Sequence, residues 1–424
     1  MTTAVHTNEQ ILASILIQIA LVILLARLAG TVAAALRQPR AVGEIVAGLA
    51  MGPSLFGYFF PEVSFTLFPA DTGQPMWIIS QIGLILLMFQ IGSDFEFAHL
   101  QKGSNFRTVV LVTIFSVSAP LGIGFLMGSA AAPTLAADVD PLGFSLFVAV
   151  AMAITAVPIL GRILAEYDLT RTPVGVIAIS AAAANDVVGW IALAVIAAIV
   201  TSGFSQGAFS LQIVGLAALM ALLAFAGRPF AAWLVQRFPI EQQQLSPPLV
   251  AIVIALVFVA GVATQALGIF TIFGGFLVGL LFHTQVAFVE AWRRTIGRFV
   301  LVFFLPIFFT LTGLRTNMLG LDTPHEWLWC AALFVASVVS KIVPVYLAAR
   351  LCGVPRDQSA ALGILMNTRA LMELIVLNIG LSLGVIPQDV FTMLVIMAVG
   401  TTLMTGPLLN LIPFTRKTRK GETS

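Results

Sequence analysis

Residues 153–162 read AITAVPILGR and residues 365–374 read LMNTRALMEL. Each stretch lies at the centre of a long apolar run, and each carries groups that fit poorly in an uninterrupted helix through lipid. These are Thr155 and Pro158 in the first, and Asn367, Thr368 and Arg369 in the second. Pro158 removes a backbone donor and crowds the preceding turn. On its own it reads as readily as a kink as it does as a break, since prolines are tolerated in membrane helices. The charges close to both interruptions favour two genuine breaks.

The flanking composition identifies the solvent. Of 424 residues, 59% are apolar and 9% are charged, and the mean hydropathy is +1.04. These values exclude a water-soluble globule and indicate an all-α polytopic membrane protein. A spanning helix needs about 20 mostly apolar residues. Pro, Gly and charge clusters then delimit thirteen spans, near residues 10–28, 41–57, 76–94, 107–128, 141–163, 172–201, 209–235, 247–265, 268–285, 297–314, 325–350, 358–384 and 387–412. The first nineteen residues contain no Lys or Arg, so no cleaved signal peptide is expected. Cys330 and Cys352 match no metal or redox spacing and read as packing residues. The glycines at 122, 124 and 128 lie inside an apolar helix, which excludes a nucleotide-binding turn.

Basic residues test the span count independently. On one side fall Arg27, Arg37, Arg40, Lys102, Arg107, Arg162, Arg171, Arg228, Arg237, Arg293, Arg294, Arg298, Arg350, Arg356, Arg416, Lys417, Arg419 and Lys420; on the other, only Arg315. The C-terminus is therefore expected in the cytoplasm and the N-terminus outside, in the plasma (inner) membrane. Lys341 and Arg369 belong to neither surface, and among the acids Glu44, Asp186 and Glu373 also fall within spans, with Asp94 at a span end. An unpaired charge near the bilayer centre costs about 2.5–3.5 kcal/mol on insertion scales. Such groups are expected to face protein or a water-filled cavity.

Spans four to six and eleven to thirteen are seven spans apart. An odd separation reverses orientation, so the two triplets form an inverted repeat whose broken helices cross at the midplane, where transporters place ion sites. Asp186, deep in the sixth span and roughly 20 Å from either end, can hold a proton or a desolvated monovalent cation, but not both. Asn185 offers an amide oxygen, and Thr155 a hydroxyl or a freed carbonyl. Lys341 is the candidate basic partner, because a buried ammonium gives up its proton where a guanidinium does not. Its charge and the cost of burial act in opposite directions on the Asp186 proton. Arg369 and Glu373, four apart, can pair directly, with Arg369 also able to satisfy carbonyls released at the break. Glu44, in the first turn of a short span, suits the helix dipole and reads as architectural. His283 reads as packed, and the Phe-rich stretch 299–314 as facing lipid or a partner subunit.

These motifs resemble the monovalent cation:proton antiporter-2 superfamily, in particular its branch of Kef-type potassium efflux proteins and plant cation/H+ exchangers. QPRAVGEIVAGLAMGPSLFG (38–57) is similar to the family's Q-P-x-V-x-E-I-x-x-G-x-x-x-G-P-S motif. ITAVPILGRIL (154–164) resembles its unwound crossing helix, ANDVVGW (184–190) its ion-binding pair, GIFTIFGGFLVGLLF (268–282) its G-A-F-x-x-G helix, and NTRALMELIVLNIG (367–380) its second crossing helix. The resemblance implies a sodium/proton-antiporter-like fold, a homodimer, and a mobile six-helix core. It assigns Asp186 as the ion-binding aspartate, Asn185 as its neighbour, Thr155 as a crossing-helix ligand and Lys341 as the basic partner. Relatives with two adjacent aspartates tend to be electrogenic; Asn-Asp here leans toward one-for-one exchange. The nucleotide-binding C-terminal domain of full-length Kef proteins is not expected, and after residue 412 only a short polar tail is read.

The expected organisation is 1–105 as N-terminal helices belonging to a dimerisation domain, 106–201 as the first core half and 202–324 as dimerisation and linking helices. Residues 325–412 form the second core half and 413–424 a cytoplasmic tail. The expected activity is exchange of Na+ or K+ for H+ by alternating access, cation and proton competing for Asp186. A sodium-coupled solute symporter and a cation channel are the alternatives, the channel weakened by the lack of a T-V-G-Y-G filter. An enzyme is not expected, since there is no H-E-x-x-H and one central aspartate where an aspartyl protease needs two. No cofactor beyond the transported ions and no nucleic-acid partner is expected; lipid and a second copy of the chain are.

Overall fold

The computed structural model describes residues 2–36, 38, 40–94, 106–169, 172–201, 214–215, 217–219, 221–238, 240, 244–267, 270–369 and 371–415. Outside them lie Arg37, Lys102, Arg171, Arg416, Lys417, Arg419 and Lys420 of the basic set, the start of the seventh expected span, and most of the polar tail. The described regular structure is helical. Its main elements are α1 (Thr2–Ala35), α2 (Arg40–Met51), α3 (Ala70–Ser93), α4 (Phe106–Leu135), α5 (Pro141–Ala153), α6 (Val157–Glu166), α7 (Pro173–Thr201) and α8 (Arg228–Arg237). They continue with α9 (Pro247–Ala266), α10 (Thr271–Phe282), α11 (Leu305–Arg315), α12 (Pro324–Leu351), α13 (Arg356–Met366), α14 (Leu371–Ser382) and α15 (Gln388–Leu411).

Among the described residues, nine helical segments are long and apolar enough to cross a membrane. The short apolar helices are α5, α10 and Met372–Ser382. Joined end to end, α5 with α6 and α13 with α14 supply the two broken spans that the sequence predicts. The tenth span is longer than expected: Val286–Gly320 runs on through π-helical turns at Arg293–Gly297 and Val300–Phe304. The second is interrupted, α2 ending at Met51 before a short helix, Phe56–Phe59.

The chain forms two compact units. One comprises Met1–Arg27, Leu55–Glu96 and Ala197–Leu311. Its centre is the packing of α10 on α3, where Gly275 and Gly279 lie against the Ile85 and Phe89 carbonyls, and Gly92 against that of Phe276. Small residues let the backbones meet, which is how helices associate in lipid without a hydrophobic drive. Phe89, Phe282, Phe288 and Trp292 fill the adjoining core, with the Phe89 and Trp292 rings 4.6 Å apart.

The other unit comprises Leu28–Ser54, Phe97–Ile196 and Thr312–Ser424. It contains an internal repeat: a long helix, two half-helices and a long helix, beginning at residues 106, 141, 157 and 173 and again at 324, 356, 371 and 388. α4 packs on α5 and α12; α12 packs in turn on α13 and α15, and α14 packs on α15 and α5. Local signals set the starts. Pro141 and Pro324 occupy first-turn positions, where a missing N–H costs nothing. The Asp140 carboxylate accepts from Gly143 N–H at 2.6 Å, and Thr323 with Glu326 forms a capping box.

Contact between α4 and α5 is close to backbone on backbone. A Cβ added at Gly124 would lie 2.7 Å from Ala149 Cα, and one at Gly128 would lie 2.7 Å from Ser145 Cα, whereas one at Gly122 meets nothing within 4 Å. Gly124→Val should destabilise by about 1–3 kcal/mol through overpacking, read as a lower melting temperature in detergent. Gly122→Ala should melt with or slightly above wild type. Equal melting of the two variants would contradict this packing.

Candidate functional site

At the end of α5 the backbone turns extended: Ile154 has φ −70° and ψ 146°, and helix resumes only at Val157. In the second repeat, helix stops at Met366 and resumes at Leu371. Pro158 thus falls in the first turn of α6, a position where proline is well accommodated, and the break precedes it. Each break frees main-chain groups that lipid cannot satisfy, and each such group left unpaired costs several kcal/mol.

The two breaks satisfy each other. Ala156 N–H donates to Thr368 O at 3.0 Å, and the Thr155 hydroxyl donates to Met366 O at 3.0 Å. Cations complete the end of α5. Lys341 Nζ donates to Ala153 O, and also to Ser116 O of α4 at 2.8 Å; Arg369 Nη1 donates to Ala151 O at 2.9 Å. A helix C-terminus is the negative end of its dipole, so both charges are well placed. Arg369 N–H is taken by Thr402 Oγ1 of α15 at 3.2 Å.

Asp186 lies in α7 and is 3% exposed, and among the described residues neither of its carboxylate oxygens has a hydrogen-bond partner. Its neighbour Asn185 donates from Nδ2 to Thr155 Oγ1 at 3.0 Å and to Ser116 Oγ at 3.4 Å, leaving its own amide oxygen buried and unpartnered. A carboxylate and an amide oxygen, buried and with no donor to satisfy them, are groups that can replace a monovalent cation's hydration shell. The same carboxylate can instead take a proton.

The structure joins Asn185 to Thr155, and Thr155 to the second break, by direct hydrogen bonds. It does not bring Lys341 into hydrogen-bonding contact with Asp186. The Lys341 ammonium donates instead to the carbonyls of Ser116 and Ala153. The Arg369–Glu373 pair forms, Nη1 to Oε2 at 3.7 Å with both side chains fully buried, but not as two residues of one helix. Arg369 lies in the break, and Glu373 in the first turn of α14, where an acid faces the positive helix end. Glu44 is buried in α2. His283 is half-buried, its Nδ1 2.7 Å from Leu280 O. Cys330 and Cys352 are free thiols. Asp94 meets Arg293 at 2.7 Å in a partly exposed pair. Ser116 and Thr402 went unread in the sequence; a serine mid-span in FSVSAP is a faint signal, and the carbonyls that Lys341 and Arg369 bind have none. No group of three or more His, Cys, Asp or Glu side chains capable of holding a metal ion occurs among the described residues.

Residues 20–412 match the family model described as sodium/hydrogen exchanger, transmembrane. The chain belongs to the sodium/hydrogen exchanger family. This exchanger is 35% identical over 408 residues to the Na(+)/H(+) antiporter NhaS4 of Synechocystis, covering 95% of this chain and 97% of that one. It is 33% identical to cation/H(+) antiporter 17 of Arabidopsis thaliana and 27% identical to K(+)/H(+) antiporter 1 of Saccharomyces cerevisiae. These two matches cover 95% and 96% of this chain but only 48% and 47% of those relatives. The fold is shared with the sodium proton antiporter MjNhaP1 of Methanocaldococcus jannaschii, at a TM-score of 0.68 and 15% identity over 97% of this chain and 98% of that one. The exchanger is thus a multi-pass membrane protein with two crossing discontinuous helices.

Arg369→Ala would strand Glu373 and uncap Ala151, which should cost about 3–5 kcal/mol. Glu373→Ala in addition should recover part of that loss, giving a coupling of about 1 kcal/mol or more in a double-mutant cycle of unfolding. Strict additivity would mean that the two side chains do not interact.

Proposed function

We propose that the chain is a monovalent cation/proton antiporter that works by alternating access, with Na+ or K+ and H+ competing for Asp186. The observation that carries this reading is the Asp186 carboxylate, buried in a spanning helix beside the paired breaks with both oxygens unpartnered. Family membership supports the reaction class. Geometry supports the competition, because a protonated carboxyl has no charge to offer a cation and a cation-bound one has no room for the proton.

Asn185 is the second ligand of this reading. Thr155 positions Asn185 while bound to the opposite break, and its hydroxyl oxygen keeps capacity to accept one further contact. Lys341 and Arg369 hold the end of α5, and Lys341 is the basic partner of Asp186 in this reading. Glu373 supports Arg369. Motion is assigned to the second unit, which carries both breaks and Asp186, and dimerisation to the first, so that the working form is a homodimer in the plasma (inner) membrane. Sidedness follows the basic residues, N-terminus outside and C-terminus cytoplasmic.

Proteoliposomes carrying an internal pH dye and an imposed pH gradient test the reading. Wild type should move protons on addition of Na+ or K+ but not of choline, and Asp186→Asn should reconstitute folded and be inactive. A fully active Asp186→Asn variant would remove Asp186 from the mechanism.

A further inference from the structure

The repeat sets an internal comparison. Thr155 and Thr368 occupy equivalent places in the two breaks, yet the Thr155 hydroxyl is committed to Met366 O and Asn185 Nδ2, while the Thr368 hydroxyl has no hydrogen-bond partner among the described residues. Beside it, Asn367 is 1% exposed, its Nδ2 only 3.9 Å from the soft Met404 sulfur and its Oδ1 unpartnered. Two buried oxygens are thus carried by consecutive residues, on a backbone that the crossing fixes through Thr368 O and Met366 O. Buried polar atoms are rarely left unsatisfied, and each one that is asks for an explanation.

The helix ends differ in the same sense. The C-terminus of α5 receives two fixed cations, Lys341 and Arg369. The C-terminus of α13 has no basic residue in its last turn, and its terminal carbonyl at Met366 is met by the neutral Thr155 hydroxyl. One helix end thus receives direct bonds from two fixed cations, whereas the last carbonyls of the other are met by neutral donors, Asn367 N–H on Ile364 O, Thr368 N–H on Leu365 O and the Thr155 hydroxyl on Met366 O. A helix C-terminus met only by neutral donors and flanked by an amide oxygen and a hydroxyl oxygen suits a small cation better than an anion.

We infer that Asn367 and Thr368 form a second subsite for the transported monovalent cation, at the C-terminus of α13, using Asn367 Oδ1 and Thr368 Oγ1. The inference rests on the antiport reading and extends it. The ion passes between the Asp186 site in the first half of the repeat and a neutral site in the second. Occupancy of the neutral site does not depend on proton release from Asp186, so the two sites load under different conditions.

The full chain in detergent and in proteoliposomes provides the test, with Na+, K+ and choline as probes. Two readouts are needed: the cation-induced rise in melting temperature, and the half-saturating cation concentration for proton exchange. Thr368→Val removes one oxygen at constant shape. It should raise the half-saturating concentration roughly tenfold, the loss of one contact to a charge, without lowering the melting temperature in choline. Asn367→Leu removes the amide oxygen at similar size and should strongly reduce the added stabilisation by Na+ or K+ without lowering the melting temperature in choline. Wild-type cation responses in both variants, with Asp186→Asn unresponsive, would overturn the subsite and leave the Asp186 reading standing. A lower melting temperature of Thr368→Val in choline with an unchanged half-saturating concentration would make Thr368 structural and also overturn it. A wild type that responds to no cation in either readout would overturn both.

Discussion

Everything in the second unit depends on one constraint: main-chain groups exposed by a break inside a membrane have no water to turn to. Two isolated broken helices would each carry that debt. Crossing lets one break pay the other, Ala156 N–H to Thr368 O and Thr155 hydroxyl to Met366 O. Two further carbonyls at the end of α5, those of Ala151 and Ala153, are met by the two basic side chains that the sequence places mid-span. Burial of Lys341 and Arg369, costly for any isolated charge, is thereby explained by the fold before any transport chemistry is invoked.

The Asp186 carboxylate, the proposed ion-binding group, stands apart from that arrangement. Lys341 and Arg369 are drawn to carbonyls, Thr155 and Asn185 to each other, and Asp186 keeps both oxygens unengaged among the described residues, with no cation in salt-bridge contact such as Glu373 has in Arg369. A carboxylate whose oxygens were tied to donors would hold neither ion nor proton reversibly. Its loneliness is maintained by neighbours already occupied elsewhere, so the structural hydrogen bonds and the chemical reactivity are two aspects of a single arrangement.

Residue type made much of this legible in the sequence. A charge in an apolar run is conspicuous, so Asp186, Lys341, Arg369 and Glu373 stood out, and Thr155 with Thr368 marked both breaks. The repeat was visible because span counting and basic-residue sidedness agreed. Partner choice was not legible. Lys341 reads as the basic partner of Asp186 because a buried ammonium gives up its proton readily; that its protons go to carbonyls at a helix end has no signal, since carbonyls are identical at every position of a sequence. Arg369 and Glu373 looked like neighbours on one helix because spacing alone does not reveal where a helix begins. Ser116 and Thr402 were hidden for a related reason, since isolated hydroxyls in membrane helices usually bond to their own preceding turn.

The reciprocal satisfaction of the breaks has a consequence for biosynthesis. The carbonyls of Ala151 and Ala153 leave the ribosome long before Lys341 and Arg369 exist, and at ~5–20 residues per second the gap is roughly ten to forty seconds. During that interval the first half of the repeat lacks the side chains that cap its break. It must stay in a wet or protein-lined compartment, or bridge the gap transiently as continuous helix, until the second half arrives.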